Sequence, residues 1–302
     1  MIHQIIDRHK RYGWVKTTSE WDAIRNEQRA GYHSLLDTGD VDGLTDLFAN
    51  MLRSEIAHGI VSLPSDPDTL PVSLAWKMGL WARGVNDLDM GRLNAPKVGN
   101  PIVVGFDHPN GGTVGITLDV HRFDNYADTI VDALPTGTVV EVGCGYGGVA
   151  LQVLRASTSV QMVLCDLPDT LYLAWYFLGG STRRTVAWWD DDPTADVVLL
   201  PAHERDQWTG PVDMVFSAHS FSGMDRDTSA DYMAWVERSG ARYFYHDDVQ
   251  TNVPEAWMNE RFPEVLASEI VPEGFTELWR ERGLWTGIDD RFCEFFYERD
   301  LA

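Results

Sequence analysis

VVEVGCGYGG, Val139 to Gly148, sets three valines around one acid and then places four glycines in six positions. A branched apolar run that breaks into glycine is a buried strand ending in a tight turn, and the YGGVALQVLRAS that follows has the apolar spacing of a helix. Gly143, Gly145 and Gly148 satisfy GxGxxG. Between a strand and a helix, such a turn lets backbone amides at the helix N-terminus meet a ligand's anionic group. Asp166 ends the next strand, QMVLCDL, 18 residues after Gly148, where a carboxylate can accept hydrogen bonds from both ribose hydroxyls. The pair indicates an adenosine cofactor and leaves NAD and S-adenosylmethionine both open.

Three features favour S-adenosylmethionine. Glu141 stands just before the first glycine and completes E-x-G-x-G-x-G, and an acid there suits a ligand bearing ammonium and sulfonium charge better than a pyrophosphate. The motif begins about 140 residues into the chain, after a helical region, whereas a dinucleotide-binding domain more often opens with it. The chain also ends on FTELWRER and FCEFFYER, two strands with no helix between them, unlike a second mononucleotide-binding half.

Outward from the turn, apolar strands alternate with helices. TVVEVG, QMVLCDL, DVVLLP, VDMVFSAH and ARYFYH read as strands, and YGGVALQVLRAS, PDTLYLAWYFL and TSADYMAWVERSG as helices. That order predicts a Rossmann-like α/β sheet, mostly parallel and covered by helices on both faces, closed at one edge by the antiparallel C-terminal pair. A short helix is expected after Pro254. NGGTVGITLDV reads as a hairpin turning at Gly111 and Gly112. Residues 1–95 read as a helical N-terminal region, a lid over the acceptor site or a dimer contact, and residues 96–302 as the cofactor-binding domain.

The 24 Lys and Arg stand against 46 Asp and Glu, a formal net charge of -22, so the average surface field repels phosphate backbones and argues against a nucleic-acid partner. A small-molecule or glycan substrate meets no such penalty. No apolar run is long enough to cross a membrane, the start MIHQIIDRHK lacks the pattern of a signal peptide, and Cys144, Cys165 and Cys293 form no CxxC pair. These readings together predict a cytoplasmic protein.

RFDNYADTI, EVGCGYGG, LCDLPDTLYLAWYFL and FSAHSFSGM, spread over roughly residues 105 to 250, resemble class I S-adenosylmethionine-dependent methyltransferases, and within them the sugar O-methyltransferases of bacterial polysaccharide and antibiotic clusters. The resemblance implies methyl transfer to a sugar hydroxyl. Carried over by position, Glu141, Gly143, Gly145 and Gly147 would contact the methionine part of the cofactor, with Tyr146 inside the same turn. Asp166 and Leu167 would hold the ribose, His203 and Glu204 the adenine side, and Ser217 would close the site at the end of the fourth strand.

Methyl transfer from a sulfonium is an in-line displacement, and a sugar hydroxyl needs a base, or a metal that lowers its pKa, before it attacks well. His219 after VDMVFSA and His246 after ARYFY stand at strand ends on the side of the sheet where ligands collect, and either can take a proton near neutral pH. Asp247 adjoins His246 and is a third catalytic candidate; with Asp248 it forms a carboxylate pair that could hold Mg2+. Asp190, Asp191 and Asp192 before Pro193 read as a solvated loop, and Trp188 with Trp189 as packing residues or a stacking wall for a sugar. The competing functions are methylation of a phenolic or polyketide hydroxyl and, on a different chemistry, an NAD-dependent oxidoreductase.

Overall fold

Val139, Val140, Val142, Met162 to Cys165 and Val197 to Leu200 are all buried, without polar alternation, so the strands that carry them must be covered on both faces. The computed structural model describes residues 1–17, 19–54, 56, 70–84, 89–108, 111–250, 264–283 and 291–300. It opens with helices α1 (Ile2–Tyr12), α2 (Ser19–Ala23), α3 (Ala30–Thr38), α4 (Val41–Ala49) and α5 (Leu70–Gly84), with a π-turn over Ile24–Gln28 leading into α3. The hairpin of β1 (Val104–Asp107) and β2 (Thr113–Ile116) follows, antiparallel as expected, with Gly111 and Gly112 at positive φ in its turn.

The main sheet has eight strands: β3 (Gly137–Val142), β4 (Val160–Asp166), β5 (Val186–Trp188), β6 (Val197–Pro201), β7 (Met214–Ala218), β8 (Tyr243–Val249), β9 (Phe275–Arg282) and β10 (Phe292–Arg299). Their order is β5-β6-β4-β3-β7-β8-β10-β9. Neighbours from β5 to β8 run parallel, while β10 runs antiparallel to both β8 and β9. This is the expected Rossmann-like sheet with its antiparallel closing pair. The three-residue β5 is an addition; VAW is too short to announce a strand, and it exists because β6 offers it a buried edge. The expected short helix after Pro254 falls on residues 251–263, outside the described residues.

Four further helices cover the sheet: α6 (Val120–Ala133), α7 (Gly148–Ala156), α8 (Pro168–Ser181) and α9 (Arg226–Ser239). Proline at its first position sets the start of α8, and Asp225 caps α9 by accepting from the Thr228 amide. Ile130 and Tyr126 of α6, Val149 and Val153 of α7, and Leu171 and Leu178 of α8 share one apolar cluster with Val139, Leu164, Leu199 and Phe216 on one face of the sheet. Tyr232, Met233 and Val236 of α9 join Val140, Val163, Val198 and Val215 on the other.

Helices α1, α3 and α4 have a core continuous with the sheet's on the first face, since Ile5, Tyr32, Leu36, Leu44 and Phe48 belong to the same cluster, whereas Leu74, Met78 and Trp81 of α5 pack in a separate cluster with Ile116 and Val120. Tyr12 stacks on Trp188 with centroids 5.3 Å apart, and Arg8 sits over the same indole. Trp188 is wholly buried. Burying such a ring is worth about 4–6 kcal/mol before ordering costs, so packing accounts for it without a sugar. Asp190 departs from the reading of a solvated loop, while Asp191 and Asp192 stay exposed as expected: Asp190 accepts from Arg8 at 2.9 Å and also from Arg11, and Asp191 from Arg8, which pins α1 to the loop after β5.

Candidate active site at the carboxyl ends of β3, β4 and β7

Chain order reverses direction across the sheet between β3 and β7, and in open α/β sheets the carboxyl ends of the strands at such a switch point are where ligands bind. Gly143, Gly145 and Gly147 all have positive φ, between 56° and 85°, so the turn after β3 is a backbone cradle that side chains would strain. A Cβ on Gly143 would stand 1.8 Å from Ser220 Oγ, and one on Gly148 would stand 2.4 Å from the Phe123 ring. The first approach joins the loops after β3 and β7, where Ser220 Oγ donates to Gly143 O at 3.3 Å; the second lets α6 lie close on α7. Tyr146 is held edge-on by Phe177 and Phe123, with centroids 4.7 and 6.1 Å away.

Asp166 ends β4 as the sequence placed it. Its Oδ2 accepts from the Gly145 amide at 3.0 Å and its Oδ1 from the Leu167 amide at 2.7 Å, so the carboxylate ties the glycine turn to the start of α8. Burial pushes this carboxyl up to about 6, against the pull of the two amides. Each oxygen keeps a further lone pair for a ribose hydroxyl. Glu141 is buried one strand over, with Oε2 lacking a hydrogen-bond partner among the described residues. Burial, with Asp166 adding to it, holds the Glu141 carboxyl well above the usual range. A cation placed beside it would relieve both penalties, whereas a pyrophosphate would add to them. The residues therefore fit an adenosine bearing ammonium and sulfonium charge.

Between β7 and its 3-10 turn, His219 takes φ 56°, a conformation that costs a non-glycine residue energy and marks a position fixed by its surroundings. Its amide donates to Asp247 O at 2.7 Å, and its Nε2 lies 3.5 Å from Asp247 Oδ2. Tyr126 of α6 donates its hydroxyl to the same Oδ2. Asp247 is wholly buried. Burial would raise its pKa, but the facing His219, Tyr126 and Arg122 outweigh burial and hold it low. His219 keeps an edge to solvent, with 20% of its side chain exposed, and packs edge-on to Phe292. The result is a partly exposed histidine oriented by a charged carboxylate just past the carboxyl end of β7.

The other candidates separate from this group. β8 runs on to Val249, so His246 lies inside the strand, with Phe244 and Asp248 on the α9 face, while Asp247 points to the α6 face. His246 is wholly buried and stacked on Phe295 with centroids 5.2 Å apart, and its Nδ1 is 3.5 Å from Asp248 Oδ2. Asp248 Oδ1 accepts from the Ser222 amide and hydroxyl at 3.0 and 2.8 Å. The paired-carboxylate Mg2+ site is thereby corrected: successive residues of a strand face opposite ways, so Asp247 and Asp248 do not converge on one ion. Among the described residues no group of three or more His, Cys, Asp or Glu side chains is placed to hold a metal.

Ser217 is buried on the α9 face beside Val142 and His246, and its hydroxyl has no partner among the described residues. His203 and Glu204 follow β6 as expected. His203 meets the Tyr12 ring of α1 at 6.0 Å, and Glu204 accepts from the Trp189 indole at 2.7 Å. Sequence reasoning missed Tyr126 and Arg122 of α6 as polar members of the site, since both sit on a helix whose apolar spacing alone explained it. It also missed the N-terminal contribution: Arg25 pairs with Asp169 at 2.9 Å, and the buried Arg29 acts electrostatically on Asp169 and Asp166.

No protein-family model matches the chain, and no curated protein matches it in sequence. Solved structures with a similar fold include the mitomycin 7-O-methyltransferase MmcR, at 14% identity and TM-score 0.44 over 61% of this chain and 54% of that one. The pyocyanin biosynthetic protein PhzM matches at 15% identity and TM-score 0.42, over 59% of this chain and 54% of that one. The glycopeptide N-methyltransferase MtfA, solved with sinefungin, matches at 12% identity and TM-score 0.44, over 59% and 87% of the two chains. The matched part thus spans about half the length of the first two.

Proposed function

We propose that the protein is an S-adenosylmethionine-dependent O-methyltransferase acting on a sugar hydroxyl. The observation that carries the reading is the placing, at the carboxyl ends of the neighbouring strands β3 and β7, of an acid-lined glycine turn suited to a cationic adenosine and a histidine oriented by a buried carboxylate. The cofactor, when bound, supplies an electrophilic methyl group. Glu141 and the turn from Gly143 to Gly147 would hold its methionine part, and Asp166 its ribose. His219, with Nε2 held toward Asp247, would take the acceptor proton at Nδ1. Asp247 stays charged and so favours the imidazolium that results, while Tyr126 fixes the carboxylate in place.

A sugar hydroxyl is less acidic than a phenol and has more need of such a base, which supports the sugar over a phenolic or polyketide acceptor. The second reading keeps one observation in its favour, the Phe292 ring standing edge-on beside His219, a surface on which a planar acceptor could rest. The test is to incubate the protein with methyl-labelled S-adenosylmethionine and a panel of neutral and acidic sugars and phenols, with and without EDTA. Label transferred to a sugar, undiminished by EDTA, is expected. Transfer to phenols alone would move the assignment to the second reading, and thermal stabilisation by NAD but not by S-adenosylmethionine would remove both.

A further inference from the structure

The loop between β7 and α9 is tied to two consecutive residues of β8, one on each face of the sheet. At its start the His219 amide donates to Asp247 O at 2.7 Å, and the imidazole Nε2 stands 3.5 Å from Asp247 Oδ2. Three residues on, in the 3-10 turn Phe221–Gly223, the Ser222 amide and hydroxyl both donate to Asp248 Oδ1, at 3.0 and 2.8 Å. Between these ties, Ser220 Oγ donates to Gly143 O and Ala218 O, both at 3.3 Å, so the same loop touches the glycine turn. Phe221 is wholly buried against Phe244 and Tyr232, with centroids 6.0 and 5.8 Å away, and its carbonyl accepts from Ser229 Oγ at 3.2 Å.

Asp248 is an unusual residue for its surroundings. It is wholly buried on the face whose core includes Phe221, Phe244 and Phe295, and its Oδ2 has no hydrogen-bond partner among the described residues. A carboxyl group taken out of water is costly, and packing alone is better served by an apolar side chain of the same size. Both hydrogen bonds that the group makes go to Ser222, so its use is to hold that one residue. The loop has need of holding. His219, at φ 56°, is in a conformation that persists only where its surroundings over-determine it. Without the tie at Ser222, a buried amide and hydroxyl lose their acceptor, and the turn that keeps His219 in this conformation loses its anchor.

We propose that Asp248 is a positioning residue of the reaction: through Ser222 it fixes the loop after β7 so that His219 stays against Asp247. The inference rests on the reading of His219 as the base and extends it. Two neighbouring carboxyl groups then serve one histidine from opposite faces of the sheet, Asp247 by direct contact and Asp248 through the loop backbone.

The experiment is a double-mutant cycle in the full chain, with Asp248→Leu, Asp248→Asn and Ser222→Ala each made in wild type and in His219→Ala and assayed by transfer of labelled methyl. Asp248→Leu should lower kcat by about tenfold to a hundredfold, the loss expected when a reacting group is misplaced, while KM for the cofactor stays put. Asp248→Asn, whose Oδ1 still accepts from Ser222, should recover most of the rate, and Ser222→Ala should fall between the two. In the His219→Ala background none of the three should lower kcat further, because their effect passes through the missing ring. A second readout needs no turnover: the imidazole signals of His219 in 15N-histidine NMR, identified by their loss in His219→Ala, should move in Asp248→Leu and Ser222→Ala and stay in place in Asp248→Asn. If the leucine variant does not fold, Ser222→Ala carries both tests. Equal proportional losses in the two backgrounds, or His219 signals unmoved in Ser222→Ala, would overturn the inference and leave the methyltransferase reading standing. Turnover by His219→Ala at the wild-type rate would overturn the reading beneath it.

Discussion

In the proposed reaction His219, with 20% of its side chain exposed, and the wholly buried Asp247 would divide one task, and this division can be tested directly. His219→Ala should lower kcat by about a hundredfold to ten-thousandfold, the usual contribution of a general base, with cofactor affinity unchanged by calorimetry. Asp247→Asn should do nearly as much, since it removes the charge that favours the imidazolium. Asp166 yields a pH effect. Its carboxyl keeps its proton up to about 6 in the folded, cofactor-free protein, and an ionised carboxylate is the better acceptor for ribose hydroxyls. Cofactor Kd should therefore rise as pH falls below about 6, and Asp166→Asn should flatten that dependence. The sign for stability is the reverse: between about 4 and 6 the folded state holds a proton that the unfolded chain has lost, so this group's contribution falls as pH rises through that window. The glycines, Glu141 and Asp166 were legible in the sequence because turn chemistry and strand ends announce them. His219 and His246 were not separable, because the two extra residues of β8 beyond Asp247 decide that His246 is inside the strand. The opposed directions of Asp247 and Asp248 were within reach, since any strand through both would have split them.

At the scale of elements, α8 is where the N-terminal helices take hold. Tyr32 donates to the Asp169 carbonyl at 2.8 Å, Arg25 bonds its carboxylate, and His33 lies 3.5 Å from the other oxygen. Burial alone would raise the Asp169 carboxyl; His33, Arg25 and Arg29 overcome it and hold it at about 2. Its stabilising contribution is therefore present above the unfolded value near 4 and lost as pH falls toward 2. Asp169→Ala should cost about 3–5 kcal/mol, as expected when a buried charge loses its partner, read as a lowered denaturation midpoint at neutral pH and a much smaller difference near pH 2. Sequence periodicity found α6, α7, α8 and α9, and strand runs found most of the sheet, because those elements meet their partners with regular apolar faces. Ion pairs between segments more than a hundred residues apart, such as Arg25 with Asp169, leave no local pattern.

For the whole molecule, one core joins α1, α3 and α4 to the sheet, and these helices are tied to α8 through Asp169 and to the loop after β5 through Asp190. The net charge of -22 surrounds this core with mutual repulsion. Raising NaCl from about 0.01 to 0.15 M shortens the Debye length from about 30 to about 8 Å, so the thermal midpoint should rise over that range and level off beyond it. A midpoint that falls with salt would mean that the surface pairs outweigh the repulsion. Everything in the proposed chemistry depends on which adenosine the site accepts. Isothermal calorimetry of the full chain with S-adenosylmethionine and with NAD, repeated on Asp166→Ala, tests this most directly. The account predicts one saturable site for S-adenosylmethionine, at least about tenfold weaker in the variant, a loss of about 1.4 kcal/mol, and no heat from NAD. Binding of NAD in place of S-adenosylmethionine, or S-adenosylmethionine binding indifferent to Asp166, would contradict it.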